Sequence, residues 1–103
     1  MHTKMNIAFF GTPDRAVFVL DELKAAGILP SLIITQPDRP QGRKLLITPP
    51  PVKVWAEKEK IEFIQPDDLS NADFIKRLTD GNFDVFVVVA YGKIIKDEIL
   101  NIP

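Results

Sequence analysis

Asn6-Ile7-Ala8-Phe9-Phe10-Gly11-Thr12-Pro13-Asp14 is the stretch that decides the fold class. Its nearly all-apolar run stops at Gly11, as expected of a strand buried on both faces of a parallel sheet. Thr12 is placed to cap a following helix, Pro13 suits the first helical position, and Asp14 complements the positive helix end. Ala16, Val17, Leu20 and Leu23 then recur at helical spacing until Gly27. The outcome is a strand-turn-helix unit.

Outward from that unit, Ser31-Leu32-Ile33-Ile34-Thr35 reads as a second strand and Glu62-Phe63-Ile64 as a third. Between them Val52, Trp55, Ala56 and Glu59 share one side of a short helix that Pro50 or Pro51 can start. Ser70 as cap, Asp73 three residues on and Leu69 stapled onto Phe74 mark another helix, which Asp80-Gly81-Asn82 ends. Val85 to Ala90 is a fourth strand, and an Ile-rich segment follows Tyr91-Gly92-Lys93. Alternation of this kind predicts an α/β fold: a doubly wound, mostly parallel, Rossmann-like sheet flanked by helices, with right-handed crossovers and strand order 3-2-1-4. In that order the fourth strand is an edge, yet its Phe/Val content suits a strand with two neighbours. Ile94, Ile95, Ile99, Leu100 and Ile102 also lack cover. Residues 1–103 are therefore expected to be a domain truncated after its fourth strand, prone to self-association along that edge, with Met1 to Lys4 a disordered or added terminus.

Composition excludes several function classes. Of 103 residues, 46% are hydrophobic and 26% charged, which fits one ordinary globular domain. The net charge of -1 gives no overall basic character, so nucleic acid or an anionic surface must be met by a local patch. With no Cys and a single His, the chain offers no disulfide, no thiolate nucleophile and no metal site. No apolar run is long enough to span a bilayer, and no signal peptide is legible, so a soluble, cytoplasmic chain without membrane partners is expected. No Ser/His/Asp set can be assembled, and the carboxylate pairs Asp67-Asp68 and Glu57/Glu59 read as solvated; no residue of the chain is read as catalytic.

Three motifs remain. Gly11-Thr12-Pro13-Asp14 supplies one glycine where a dinucleotide fingerprint needs three, and Asp14 would repel a phosphate, so it reads as a capped helix start. Pro37 to Lys53 holds five of the nine prolines and is expected to lack regular structure. In it Arg39, Arg43, Lys44 and Lys53 stand against Asp38 alone. Two readings stay open: a solvated loop in which Asp38 pairs with Arg39 or Arg43, or a phosphate-binding loop using fork-shaped guanidinium donors, which its length favours. Ala90-Tyr91-Gly92-Lys93-Ile94-Ile95 follows the carboxyl end of strand four, where open α/β sheets place ligands. It is either a tight turn with core packing or one wall of a site for a heteroaromatic ring, in which Gly92 permits close approach, Tyr91 presents an aromatic face, and Ile94 and Ile95 supply apolar walls.

Taken together, Asn6 to Asp14, Thr35-Gln36-Pro37-Asp38-Arg39-Pro40 continuing Gly42-Arg43, Pro51-Val52-Lys53-Val54, Gln65-Pro66 and Val87-Val88-Val89-Ala90-Tyr91-Gly92 resemble the N-terminal part of the methionyl-tRNA formyltransferase family. The likeness runs in register from Met5 to Pro103. The Thr-Gln-Pro-Asp-Arg-Pro stretch and the Ala-Tyr-Gly turn separate the chain from relatives that formylate glycinamide ribonucleotide or amino sugars. The resemblance implies formyl transfer from 10-formyltetrahydrofolate to the amine of methionyl initiator tRNA, in translation initiation. It implies that Pro37 to Pro49 reaches the tRNA acceptor arm, with Arg39, Gly42, Arg43 and Lys44 as the tRNA-binding set and Arg43 at the acceptor end. It assigns Tyr91, Gly92, Lys93, Ile94 and Ile95 to the folate pocket. The family's catalytic Asn-x-His pair and Asp would fall beyond Pro103, leaving this chain inactive alone. One departure bears on the RNA grip: Lys44-Leu45-Leu46 stands where relatives tend to have Gly followed by two Lys. Two other classes compete, a stand-alone RNA- or nucleotide-binding module and a dinucleotide oxidoreductase half-domain with Asp38 on the ribose; the glycine count opposes the second.

Overall fold

The short apolar runs pair as one parallel sheet. In the computed structural model, which describes residues 5–103, β1 (Ile7–Gly11) lies between β2 (Leu32–Ile34) and β6 (Val85–Val89), and β5 (Phe63–Ile64) lies outside β2. The order β5-β2-β1-β6 is the expected 3-2-1-4, and all three pairings are parallel. Phe9 pairs with Ile33 on one side and Val87 on the other. The helices are α1 (Asp14–Ala25), α2 (Pro51–Glu59), α3 (Ala72–Asp80) and α4 (Asp97–Leu100).

Two-residue alternation along the strands sends side chains into two layers. Phe9 and Ile33 point to one face, where Ala16 and Leu20 of α1 and Val52, Trp55 and Ala56 of α2 cover them. Ala8, Phe10, Leu32 and Ile34 point to the other, against Phe74 and Leu78 of α3 and Ile99 of α4. Burial on both faces explains why β1 reads as an unbroken apolar run. Trp55 donates its indole N–H to Asp21 at 2.8 Å, and Lys24 pairs with Glu59 at 2.8 Å, so α1 and α2 are clamped across their outer groove. Glu59 is thus ion-paired rather than merely solvated.

Three local expectations are corrected. Thr12 does not cap α1. Pro13 occupies the cap position with no side-chain bond, and the Thr12 hydroxyl instead donates to the Tyr91 carbonyl at 2.7 Å. The cap of α3 is Asn71 rather than Ser70. Its side-chain oxygen accepts from the amides of Asp73 and Phe74, because Ser70 is already held by Asp68 through both its amide and its hydroxyl. Finally, residues 37–53 are not irregular throughout: β3 (Arg39–Gln41) and β4 (Leu46–Thr48) form an antiparallel hairpin with Pro40 opposite Ile47. A two-stranded ribbon tolerates proline because each strand has an unpaired side for the missing N–H.

Among the described residues β6 pairs only with β1, and Val88 on it is 46% exposed. No described helix is long and apolar enough to cross a membrane. Met1 to Lys4, with His2, lie outside the described residues.

Candidate functional site

The carboxyl ends of β1, β2 and β6 meet at one edge of the sheet, and each hands on to a polar connection. After β1 comes Thr12, after β2 come Thr35 and Gln36, and after β6 comes the turn at Ala90–Gly92. The Tyr91 carbonyl collects two of them: it accepts from the Thr12 hydroxyl at 2.7 Å and from the Gln36 carboxamide at 3.2 Å. Ala90 has φ 50° and Gly92 φ 99°, so this turn holds a left-handed non-glycine residue two positions before a glycine with positive φ. Strain of that kind persists only where the surroundings fix it, and it concentrates at binding sites. Thr12, Arg15, Gln36, Arg39, Ala90 and Gly92 line an open cavity of about 400 Å³ over this edge. Arg15 and Arg39 thus line the same cavity as the turn.

Of the two readings left open for this turn, the Tyr91 side chain follows the core-packing one and departs from the ligand-facing one. Its ring is 2% exposed, stands edge-on to Phe10 at 5.5 Å, and belongs to the core between the sheet and α3. Burial pushes the phenol up to about 12, and its oxygen finds no partner among the described residues. The aromatic face is therefore unavailable to a ligand, and what Tyr91 offers at the edge is its backbone. Ile95 packs against the same core. Gly92 lines the edge cavity, whereas Lys93 and Ile94 line a second cavity of about 270 Å³ with Asp68, Leu69 and Lys96. There Lys93 donates to the Asp67 carbonyl at 2.6 Å, while Ile94 is 90% exposed. The five turn residues are thus divided among the core and two separate cavities.

The basic segment is resolved into an anchored base and a free tip. Asp38 pairs with neither Arg39 nor Arg43. It accepts from Gln65 at 2.7 Å and from Lys53 on α2 at 3.1 and 3.2 Å, and these bonds hold its carboxyl below the usual carboxylate range. Lys53 is therefore spent inside the structure. Arg39, on β3, donates to the Gln36 side-chain oxygen at 3.2 Å. At the tip, Gly42 with φ 77° and Leu45 with φ 50° close a turn in which the Leu45 amide donates to the Gly42 carbonyl. Arg43 and Lys44 are exposed there, and no ion pair engages either among the described residues. Leu45, Leu46 and Ile47 are 65–69% exposed beside them. Arg39, Gly42, Arg43 and Lys44 thus share one hairpin, but Arg39 faces the sheet edge and the other three form the tip.

Sequence reasoning missed Gln36, Thr12 and Gln65 as site-builders. The legible signal was Gln36 itself, a polar residue ending an apolar strand at the ligand-bearing edge; it is 5% exposed. No group of three or more His, Asp or Glu side chains among the described residues is arranged to hold a metal.

Residues 5–103 match the formyl transferase family model. The chain belongs to that family. It is 48% identical over 101 residues to a methionyl-tRNA formyltransferase of Caldicellulosiruptor saccharolyticus and 43% identical over 99 to one of Halalkalibacterium halodurans. A methionyl-tRNA formyltransferase of Thermotoga maritima is 38% identical over 99 residues. Each alignment covers 96% of this chain and 31–32% of the relative, so the chain spans about a third of the length of the curated relatives it matches.

Proposed function

We propose that this chain forms the N-terminal third of a methionyl-tRNA formyltransferase, which moves a formyl group from 10-formyltetrahydrofolate to the amine of methionyl initiator tRNA. The observation that carries the reading is the convergence of Arg39 and Gly92 on one cavity at the sheet edge. It brings a basic hairpin suited to phosphates beside a strained, glycine-bearing turn suited to a flat ring. The similarity to proteins of that name over nearly the whole chain supports it.

In the reaction the amine nitrogen attacks the formyl carbon and the carbonyl oxygen takes up negative charge; the carbonyl re-forms as the carbon–N10 bond breaks, and N10 gains a proton in exchange for the one the amine loses, releasing tetrahydrofolate. Donors aimed at the developing oxyanion and a positioned base are what accelerate such a step. In this reading those groups lie in the rest of the protein. The chain described here holds substrates: the Gly92 backbone forms one wall for the folate, and Arg39, Arg43 and Lys44 meet the phosphates of the acceptor arm.

The test is a formylation assay on the full-length protein with 10-formyltetrahydrofolate and three amines: methionyl initiator tRNA, glycinamide ribonucleotide and an amino-sugar nucleotide. Formylation of the tRNA alone is expected, with residues 1–103 by themselves at background. Transfer to either small amine, or none to the tRNA, would refute the assignment. RNA binding without transfer by the full-length protein would favour the stand-alone binding module.

A further inference from the structure

The Gln36 side chain bonds both the hairpin and the Tyr91–Gly92 turn. Its amide nitrogen donates to the Tyr91 carbonyl at 3.2 Å, and its oxygen accepts from Arg39 at 3.2 Å. The orientation of the carboxamide is fixed by chemistry: a guanidinium only donates and a carbonyl only accepts, so a flipped amide would lose both bonds. Its own main chain is pinned too, because the Gln36 carbonyl accepts from Gln65 at 3.0 Å, and Gln65 also reaches Asp38. Around the far end there is no slack. An ideal Cβ on Gly92 would stand 3.2 Å from the Gln36 amide nitrogen, so the carboxamide lies directly against the turn.

We propose that Gln36 is a positioning residue that couples the hairpin to the Tyr91–Gly92 turn, so that an RNA phosphate drawing Arg39 away from Gln36 resets the turn forming the folate wall. The inference rests on the function proposed above for the two segments. A phosphate is the stronger acceptor for a guanidinium, through charge-assisted and often bidentate bonds. When Arg39 turns to it, the Gln36 oxygen loses its guanidinium partner, so the carboxamide is released to reorient and its other bond is strained or broken. The other bond ends on Tyr91. Coupling through such a shared group is reciprocal: a ligand that presses on the Gly92 turn must alter how readily Arg39 is released.

The peptide group joining Tyr91 and Gly92 reports the bond directly, since the Gly92 N–H belongs to the same conjugated unit as the Tyr91 carbonyl. In nitrogen-proton correlation spectra of the isotope-labelled protein without ligand, Arg39→Ala, a change at an exposed position, should shift the Gly92 amide peak. Gln36→Met should shift the amides of both Arg39 and Gly92. In the Gln36→Met background, Arg39→Ala should no longer move Gly92; this non-additivity is something a merely structural role would not produce. A Gly92 peak indifferent to Arg39→Ala, or one that moves equally in both backgrounds, would overturn the proposal. If Gln36→Met fails to fold, Gln36→Glu serves in its place: it keeps the acceptor for Arg39 but sets a carboxylate against the Tyr91 carbonyl, so Gly92 should move while the Arg39 contact stays. A second arm adds an acceptor-stem RNA hairpin. Movement of Gly92 with bound RNA in the wild type but not in Gln36→Met supports coupling, and bound RNA with a silent Gly92 contradicts it. Absence of RNA binding would count against the RNA reading, while the ligand-free spectra would still decide the role of Gln36.

Discussion

The β3–β4 hairpin and the Ala90–Ile95 turn leave the same edge of the same sheet, yet they are built in opposite ways. The turn has its anchor inside: the Tyr91 ring is 2% exposed and its carbonyl takes two side-chain bonds. The hairpin is anchored only at its base, by Lys53 and Gln65 on Asp38 and by Gln36 on Arg39, and its tip stands in solvent. Both contain a glycine with positive φ, Gly92 at 99° and Gly42 at 77°. One meets Gln36 where a Cβ would sit; the other meets nothing within 4 Å. In the function proposed above, the rigid turn is the wall for a flat cosubstrate and the adaptable hairpin the arm for a large, irregular polyanion.

The largest effect should separate the two glycines. Gly92→Ala combines left-handed backbone strain with crowding of Gln36 and should cost about 2–3 kcal/mol, whereas Gly42→Ala pays strain alone, about 1 kcal/mol. Denaturant titrations of both variants measure this. Equal costs would mean that the turn is no more constrained than the hairpin tip.

The next contrast uses Tyr91. Its phenol is pushed up to about 12 by burial. The unfolded chain would ionise near the ordinary value of 10.0, so stability from this group is intact below that pH and falls as pH rises toward the folded value. The loss should reach about 2–3 kcal/mol near the upper end. Tyr91→Phe should abolish that alkaline loss and, by removing an unpartnered buried hydroxyl, should stabilise the protein at neutral pH by up to about 1 kcal/mol. Folate affinity should not change, because the backbone carbonyl remains. A large drop in affinity would restore the aromatic face as a ligand contact.

The strands and helices were legible because each is an apolar run or a periodic stripe with its own stop signal, as at Gly11. The hairpin was not, because five prolines mask strand alternation and only two short strands pair. The cap of α3 was missed by one residue since Ser70 and Asn71 are both competent, and the Asp68 bonds that choose between them are local tertiary detail. Which of the two open readings Tyr91 follows could not be settled from strand alternation. Along β6, Phe86 faces the α3 layer while Val87 and Val89 face α1 and α2, so alternation would put residue 91 with the latter. Ala90, with φ 50°, inverts that alternation and drops the ring into the α3 layer. The basic residues were legible as a cluster, but not which of them is spent: Lys53 and Asp38 are 15 residues apart in sequence.

Smaller effects sharpen the hairpin side. The Asp38 carboxyl is held below its usual value of 3.8, first by Gln65 and then by Lys53. The anchoring it provides is present above that value and is lost only as pH falls through the lower folded one. Amide spectra of β3 should therefore stay constant from neutral pH down to the usual carboxylate range and change only beneath it. A transition at or above 3.8 would show that the Lys53 and Gln65 bonds do not hold Asp38. Arg43→Ala/Lys44→Ala should leave folding stability within about 0.5 kcal/mol, as surface changes without partners do.

That last variant also gives the most direct test of the division between wall and arm. The affinity of the full-length protein for methionyl initiator tRNA, measured across a salt series, should lose about 1.4 to 1.8 units of logarithmic slope when Arg43 and Lys44 are both removed, one phosphate contact for each cation. Arg39 is left in place because it is tied to the turn through Gln36. The affinity for 10-formyltetrahydrofolate, measured on the same protein, should stay unchanged. An unaltered salt slope, or a folate affinity that falls with the tip cations, would contradict the account.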